Sequence, residues 1–332
     1  NAQELNQVFA TDSWYGRYTR DRYRNSRTTD ITIYDSSKRV RSGRKLSADW
    51  ASTLQVMPSG NIAIFEFAKR ALSMLMPLHI NDECKMLNIC LDVPRRVAER
   101  YGSDSIEYED MLYALDWELA TFLGYVRTHL KNDEALLVVV TSDHGTSPAY
   151  NHDKTPKERF NVRQFEVIIN AFLSAKYGQG QWVLGYIDHS IYLNHNLIKE
   201  KKLSIPALQH EVATFCMQLN GVSHALAADA LRNSYFGSGY AQKIQNGYYP
   251  KRSGDVVINL MPGYIEEQQT TRSASGSMYR YDVHVPLVIY GGGVKSRIAE
   301  EKVDMTSVVP TIAKMVGIAA PTASEGEILK VK

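Results

Sequence analysis

The amino-acid sequence predicts an α/β fold built on a mostly parallel central sheet, and three observations carry that prediction. The run Leu136-Leu137-Val138-Val139-Val140 is continuously aliphatic, as strands covered on both faces are. A second apolar run, Met86 to Leu91, precedes it with a helical pattern between them, so strand, helix and strand succeed one another. That order implies a parallel pair joined by a right-handed crossover. The 332 residues are 44% hydrophobic and 22% charged, which suffices for a large core in one domain or one domain carrying an insertion.

Taken in order, the chain opens on a polar, basic lead segment, residues 1–58. There Arg17, Arg20, Arg22, Arg24, Arg27, Arg39, Arg41 and Arg44 interleave with Tyr15, Tyr18, Tyr23 and Tyr34. The α/β domain is expected over 59–332. Ile62 to Leu75 has amphipathic helical spacing and stops before Pro77, and Met86 to Leu91 reads as a strand. Glu107 to Leu130 is helical by the spacing of Met111, Leu112, Leu115, Leu119, Phe122 and Leu123. The strand Leu136 to Val140 follows. Phe165 to Ala175 and Pro206 to Leu219 read as helices with a short strand at Tyr192-Leu193 between them, inside a stretch, 150–250, that is partly a helical and strand insertion. Val256 to Leu260 and Val285 to Tyr290 are predicted strands, and Met305 to Met315 a closing helix opened near Asp304.

The strand Leu136 to Val140 empties into Thr141-Ser142-Asp143-His144-Gly145. Ligands of open α/β sheets gather just beyond the carboxyl ends of strands, and an adjacent carboxylate and imidazole suit Zn²⁺ or a similar borderline cation. A helix cap is the competing reading of Asp143. His284, before a strand that stops at Gly291-Gly292-Gly293, stands where it could complete such a site, or it is an ordinary loop residue. His152 follows closely enough to support the Asp-His loop from behind. The other histidines, His79, His129, His189, His195, His210 and His224, share no spacing and are read as surface residues. Cys84, Cys90 and Cys216 form neither a zinc-ribbon spacing nor an even disulfide set, and Cys90 is read as a small core residue.

Together these segments resemble the alkaline phosphatase superfamily: Ser-Asp-His-Gly after a hydrophobic strand, then His284-Val285-Pro286-Leu287 before a strand ending in Tyr290-Gly291. Val303 to Ile318 with Pro321 is similar to the superfamily's closing helix and loop. Ser105 to Asp116, Tyr177 to Val183, Ile191 to Asn194 and Arg252 to Val256 resemble, more narrowly, the periplasmic phosphate-irrepressible alkaline phosphatases that use a threonine nucleophile. The resemblance runs from about Ser59 to Leu329. It implies a three-layer sandwich with two zinc ions, Asp143 and His144 on the one nearer the nucleophile, Asp92 and His284 on the other.

Two departures stand out. Where the resembled motif reads Asp-x-x-x-His, Asp92 is followed by Val93-Pro94-Arg95 and then Arg96, and a guanidinium has no lone pair for a metal. Arg96 is expected either to pair with Asp92 in place of a cation or to turn outward. Where the family tends to have Thr-His-Gly-Ser, this chain reads Ala274-Ser275-Gly276-Ser277. Residues 1–91 also hold no apolar strand ending in an aspartate and no elbow presenting a nucleophilic hydroxyl. The chain is therefore expected to correspond to the later two-thirds of such an enzyme, to lack the first sheet segment, and to be inactive alone.

The functional expectation is a metal-dependent hydrolase of alkaline phosphatase type acting on phosphomonoesters. The alternative is a pseudo-phosphatase serving as a ligand-binding or interaction domain. A phosphodiesterase or sulfatase has an overlapping ligand pattern. The arginine and tyrosine segment invites a nucleic-acid reading, but a net charge of +2 and the absence of any nucleic-acid-binding signature argue against it. No run is long and apolar enough to span a bilayer, and no signal peptide opens the chain. The resemblance implies a periplasmic or secreted protein whose sheet edge is covered by an upstream segment or a second copy.

Overall fold

The computed structural model describes residues 15–19, 22–24, 32–34, 39–42, 54–75, 84–130, 135–149, 159–267 and 271–331. Most of the predicted elements are present within a residue or a few of their expected ends. The helix Pro58–Leu75 begins earlier than its apolar spacing suggests, and Ile106–Arg127 begins at Ser105, whose hydroxyl accepts the Tyr108 N–H at 3.1 Å. Val162–Tyr177, His195–Glu200 and Ile205–Cys216 are likewise opened by side chains, those of Asn161, Asn194 and Ser204. The closing element divides into a 3₁₀ turn, Met305–Ser307, and a helix, Val308–Met315.

The largest core surrounds a four-stranded antiparallel sheet. In it Val183–Ile187, Ser190–Leu193, Val256–Leu260 and Val222–Ala227 lie side by side in that order. Trp182, Ile191, Ile198, Val212, Cys216 and Val256 are completely or almost completely buried against it. A second apolar cluster forms where Phe65 and Ala68 of one helix meet Phe122 and Val126 of another, with Ile89, Leu91 and Leu136 packed on it. The lead segment is fastened to the same long helix through one carboxylate. Asp110 Oδ1 accepts the Arg17 N–H and the Tyr23 hydroxyl, both at 2.6 Å.

Three expectations are corrected. Met86 to Leu91 makes no ladder among the described residues. Its inward residues, Ile89 and Leu91, rest on the helices, but alternation specifies a buried face and not a neighbour on the edge. Accordingly the strand Leu137–Thr141 does not pair in parallel with it. It pairs antiparallel with Leu287–Gly291, Val140 opposite Val288, and the parallel pairing among the described residues is the short one of Arg159–Phe160 with Ile265–Glu266. Cys90 is exposed, because the packed face belongs to its neighbours Ile89 and Leu91.

Candidate active site

The loop after Leu137–Thr141 is held from both sides by backbone and hydroxyl hydrogen bonds. Gly145 N donates to Asp282 O at 2.7 Å and Ser147 N to Ala274 O at 2.7 Å, while Ser103 Oγ donates to Ser147 O at 2.9 Å. Gly145 is required by close approach, since a Cβ there would stand 2.0 Å from Tyr281 O. These ties fix Asp143 and His144 at the end of the strand. Asp143 accepts the His144 N–H at 3.0 Å and is largely exposed. His144 Nδ1 lies 2.7 Å from Gly145 O. A carbonyl can only accept, so Nδ1 carries a proton, and in the neutral ring this leaves the lone pair on Nε2, the tautomer a metal-ligating imidazole needs.

Asp92 is arranged differently. It precedes the helix Val93–Tyr101 without capping it, and its carboxylate is taken by the two arginines of the first turn. Arg95 Nε and Nη2 meet Oδ1 at 2.8 Å, and Arg96 Nε donates to Oδ2 in a short hydrogen bond. Partial burial pulls the Asp92 carboxyl upward, but the Arg96 and Arg95 hydrogen bonds and charges outweigh it and hold the group below the ordinary carboxylate range. Of the two dispositions expected of Arg96, it adopts the pairing with Asp92.

His284 is exposed at the end of the short helix Arg280–Val283, with its backbone N–H on Arg280 O at 3.0 Å. His152 lies outside the described residues. Thus the structure brings Asp143 and His144 together, commits Asp92 to guanidinium groups, and leaves His284 facing solvent. Among the described residues no three His, Cys, Asp or Glu side chains are grouped so as to hold a metal ion.

The sequence reading missed Asp282. It is almost fully buried; Oδ2 accepts the Ser277 N–H at 2.8 Å and the Ser277 hydroxyl, while Oδ1 has no hydrogen-bond partner. Burial pushes its carboxyl above the ordinary range, opposed by the Ser277 hydrogen bonds and by the fields of His144 and His189. The available signal was a carboxylate, Asp282, set among the apolar and aromatic residues Tyr279, Tyr281 and Val283.

Comparison with known proteins agrees with this architecture. The alkaline phosphatase PafA of Elizabethkingia meningoseptica is 25% identical over 276 residues, covering 82% of this chain and 50% of that protein. The alkaline phosphatase PhoV of Synechococcus elongatus is 26% identical over 341 residues, covering 99% of this chain and 60% of that protein. The chain thus spans about half the length of the curated relatives it matches. The crystal structure of wild-type alkaline phosphatase PafA superimposes with a TM-score of 0.84 at 23% identity, over 99% of this chain and 64% of that one, which shows the fold. Because the family profile described as type I phosphodiesterase / nucleotide pyrophosphatase matches residues 12–277, a span that includes Asp92, Asp143 and His144, the chain belongs to that family, within the alkaline phosphatase superfamily.

Proposed function

We propose that this chain carries part of the centre of an alkaline-phosphatase-type hydrolase acting on phosphate esters, with a divalent cation, zinc or one like it, held on the Asp143–His144 side alone. The observation that carries the reading is the capture of both Asp92 oxygens by Arg95 and Arg96. Tested against its own donor set, the chain fits a cation on one side. His144 offers Nε2 and Asp143 an exposed carboxylate, and the buried Oδ1 of Asp282 lacks a donor. It does not fit one at Asp92, where the Arg96 guanidinium stands as a fixed positive charge. His284, by this reading, is not a ligand in the conformation described.

A cation bound at Asp143 and His144 would supply Lewis-acid stabilisation of negative charge on a phosphoryl oxygen. The protein's own contribution is positional: the hydrogen bonds from Gly145 and Ser147 hold the loop, and Gly145 O fixes the His144 tautomer. A second reading, a pseudo-phosphatase that binds a phosphate-bearing ligand without turning it over, is favoured by the same Arg96, because a guanidinium neutralises a phosphate as readily as a carboxylate. We further propose a periplasmic or exterior location from the sequence's resemblance to the periplasmic phosphate-irrepressible alkaline phosphatases; among the described residues no helix is long and apolar enough to cross a membrane.

Elemental analysis of the folded protein after dialysis against zinc, alongside turnover of a chromogenic phosphomonoester, tests the proposal. One ion per chain is expected. Two tightly held ions would overturn it. One ion with turnover supports the hydrolase, and one ion without turnover supports the pseudo-phosphatase.

A further inference from the structure

The helix Pro58–Leu75 carries apolar residues on two opposite sides. Its inner row, Asn61, Phe65 and Ala68, is buried against Met111, Phe122 and Val126 of the helix Ile106–Arg127. Half a circle away, at about 3.6 residues per turn, stand Ala63, Phe67, Arg70 and Met74. Phe67 is 74% exposed and Met74 76%. A helix side that meets only water is polar, so two large apolar side chains left open there mark an uncovered contact surface. The surface continues past the helix end. Lys85 Nζ donates to Leu75 O at 2.7 Å, which brings the exposed Met86 and Leu87 beside the exposed Leu75.

The spacing of the outer row indicates what covers it. Ala63, Phe67, Arg70 and Met74 follow one another at four, three and four residues, the spacing of a coiled-coil seam, and such a row maps onto itself when reversed. An antiparallel copy of the same helix, about a two-fold axis between positions 68 and 69, sets Ala63 against Met74 and Phe67 against Arg70, and each pairing occurs twice. Both pairings are complementary. The small Ala63 leaves room for the long thioether, and a guanidinium suits the face of the Phe67 ring. On the flank Glu66, which pairs with Lys69 of its own chain at 2.5 Å, falls one residue from the second copy's Arg70, so charge is matched there too. A parallel copy would instead set Arg70 against Arg70.

We propose that the outer face of Pro58–Leu75 is a homodimer seam, covered by the same helix of a second copy of this chain in antiparallel orientation. Met86 and Leu87 of each copy extend the contact beyond the four-residue row, at the end that meets Ala63 of the other. The seam is short, at the small end of the range for specific complexes, so the dimer is expected to form with a dissociation constant in the micromolar range. A two-fold seam is closed, and assembly stops at two chains.

Sedimentation velocity of the whole folded chain, between roughly 1 and 200 μM, tests the proposal. Wild type is expected to pass from monomer to dimer across that range. Phe67→Lys, which sets an ammonium against the second copy's Arg70, should weaken the dimer about tenfold or more, and adding Arg70→Glu to it should restore association. Ile298→Lys, at a side chain 94% exposed and outside the seam, should change nothing. Circular dichroism of each variant confirms that it is folded. Register is read separately by cross-linking in a Cys84→Ser, Cys90→Ser background: a mixture of Ala63→Cys and Met74→Cys chains should form a disulfide-linked dimer, and neither alone should. A monomer at every concentration, a dimer that Phe67→Lys leaves intact, or growth beyond two chains would overturn the proposal. A dimer that cross-links through Met74→Cys alone would overturn the antiparallel register.

Discussion

Arg96 closes over Asp92 from one helical turn away, its Nε on Oδ2, while Arg95 holds Oδ1 and passes on to Glu99 at 2.7 Å. The pairing replaces a would-be ligand's lone pairs with an ion pair inside the protein itself. Asp92 and the two guanidinium groups are all partly exposed, so the pair adds little to stability, about 1 kcal/mol or less. Its consequence is chemical. Arg96→His should free Oδ2 and place an imidazole one turn from Asp92, so zinc uptake should rise by up to one ion per chain with little change in unfolding midpoint. Unchanged zinc content in a folded Arg96→His protein would show that Asp92 is no ligand even when released.

Gly145 and Gly124 form a matched test of how tightly the site loop is built. Gly145→Ala would push a methyl group against Tyr281 O and strain the 2.7 Å hydrogen bond to Asp282, destabilising the fold by about 1–3 kcal/mol. Gly124, inside the helix Ile106–Arg127, has nothing within 4 Å of its missing Cβ, so Gly124→Ala should stabilise by about 0.5–1 kcal/mol. Urea unfolding of the two variants should show midpoints moving in opposite directions. A neutral Gly145→Ala would mean that the loop is free to shift.

How much of this was legible in the sequence follows from what each pattern measures. Val256–Leu260 was predicted residue for residue and Leu137–Thr141 within one residue, because runs of aliphatic, β-branched residues mark strands locally; burial was legible only for the first, since Val256–Leu260 is largely buried whereas Leu137–Thr141, expected to be covered on both faces, is half-buried to exposed. The partner of that strand was not legible. Pairing with Leu287–Gly291 is set by the closure of residues far apart in the chain, and no local period encodes it. Asp143 and His144 stood out because chain neighbours reach the same point together. Asp282 and His189 did not, since the surroundings of each form only after the 183–193 hairpin and the 271–283 loop have packed. At Cys90 the period was right and the phase wrong by one residue, which exchanges the buried and exposed faces.

The three thiols should separate cleanly by reactivity. Cys84 and Cys90 are exposed, whereas Cys216 is fully buried in the main core and burial pushes its thiol up to about 12. A chromogenic disulfide reagent at neutral pH should therefore titrate two thiols in the native protein and the third only on unfolding. Prompt modification of all three would show that the sheet core opens readily. Modification of one alone would place Cys84 or Cys90 under cover.

The Asp304 cap gives a stability term with a definite pH sign. Its Oδ1 accepts the Thr306 N–H at 3.0 Å and the Thr306 hydroxyl at 2.9 Å, opening the turn that leads into Val308–Met315. The backbone hydrogen bond first, then the hydroxyl, and the nearby Lys302 hold its carboxyl below the ordinary 3.8, against a smaller opposing effect of burial. A carboxyl whose folded pKa is depressed stabilises the fold above its unfolded pKa, and loses that contribution as pH falls through the folded value. At neutral pH Asp304→Ala should cost about 1 kcal/mol, the usual size of a cap. Asp304→Asn, which keeps an acceptor but no charge, should cost less. The margin of wild type over Asp304→Asn should be constant from neutral pH down to about pH 5 and then shrink on further acidification. A margin that instead grew on acidification in chemical unfolding curves would reverse the assigned sign and remove the charge from the account of this cap.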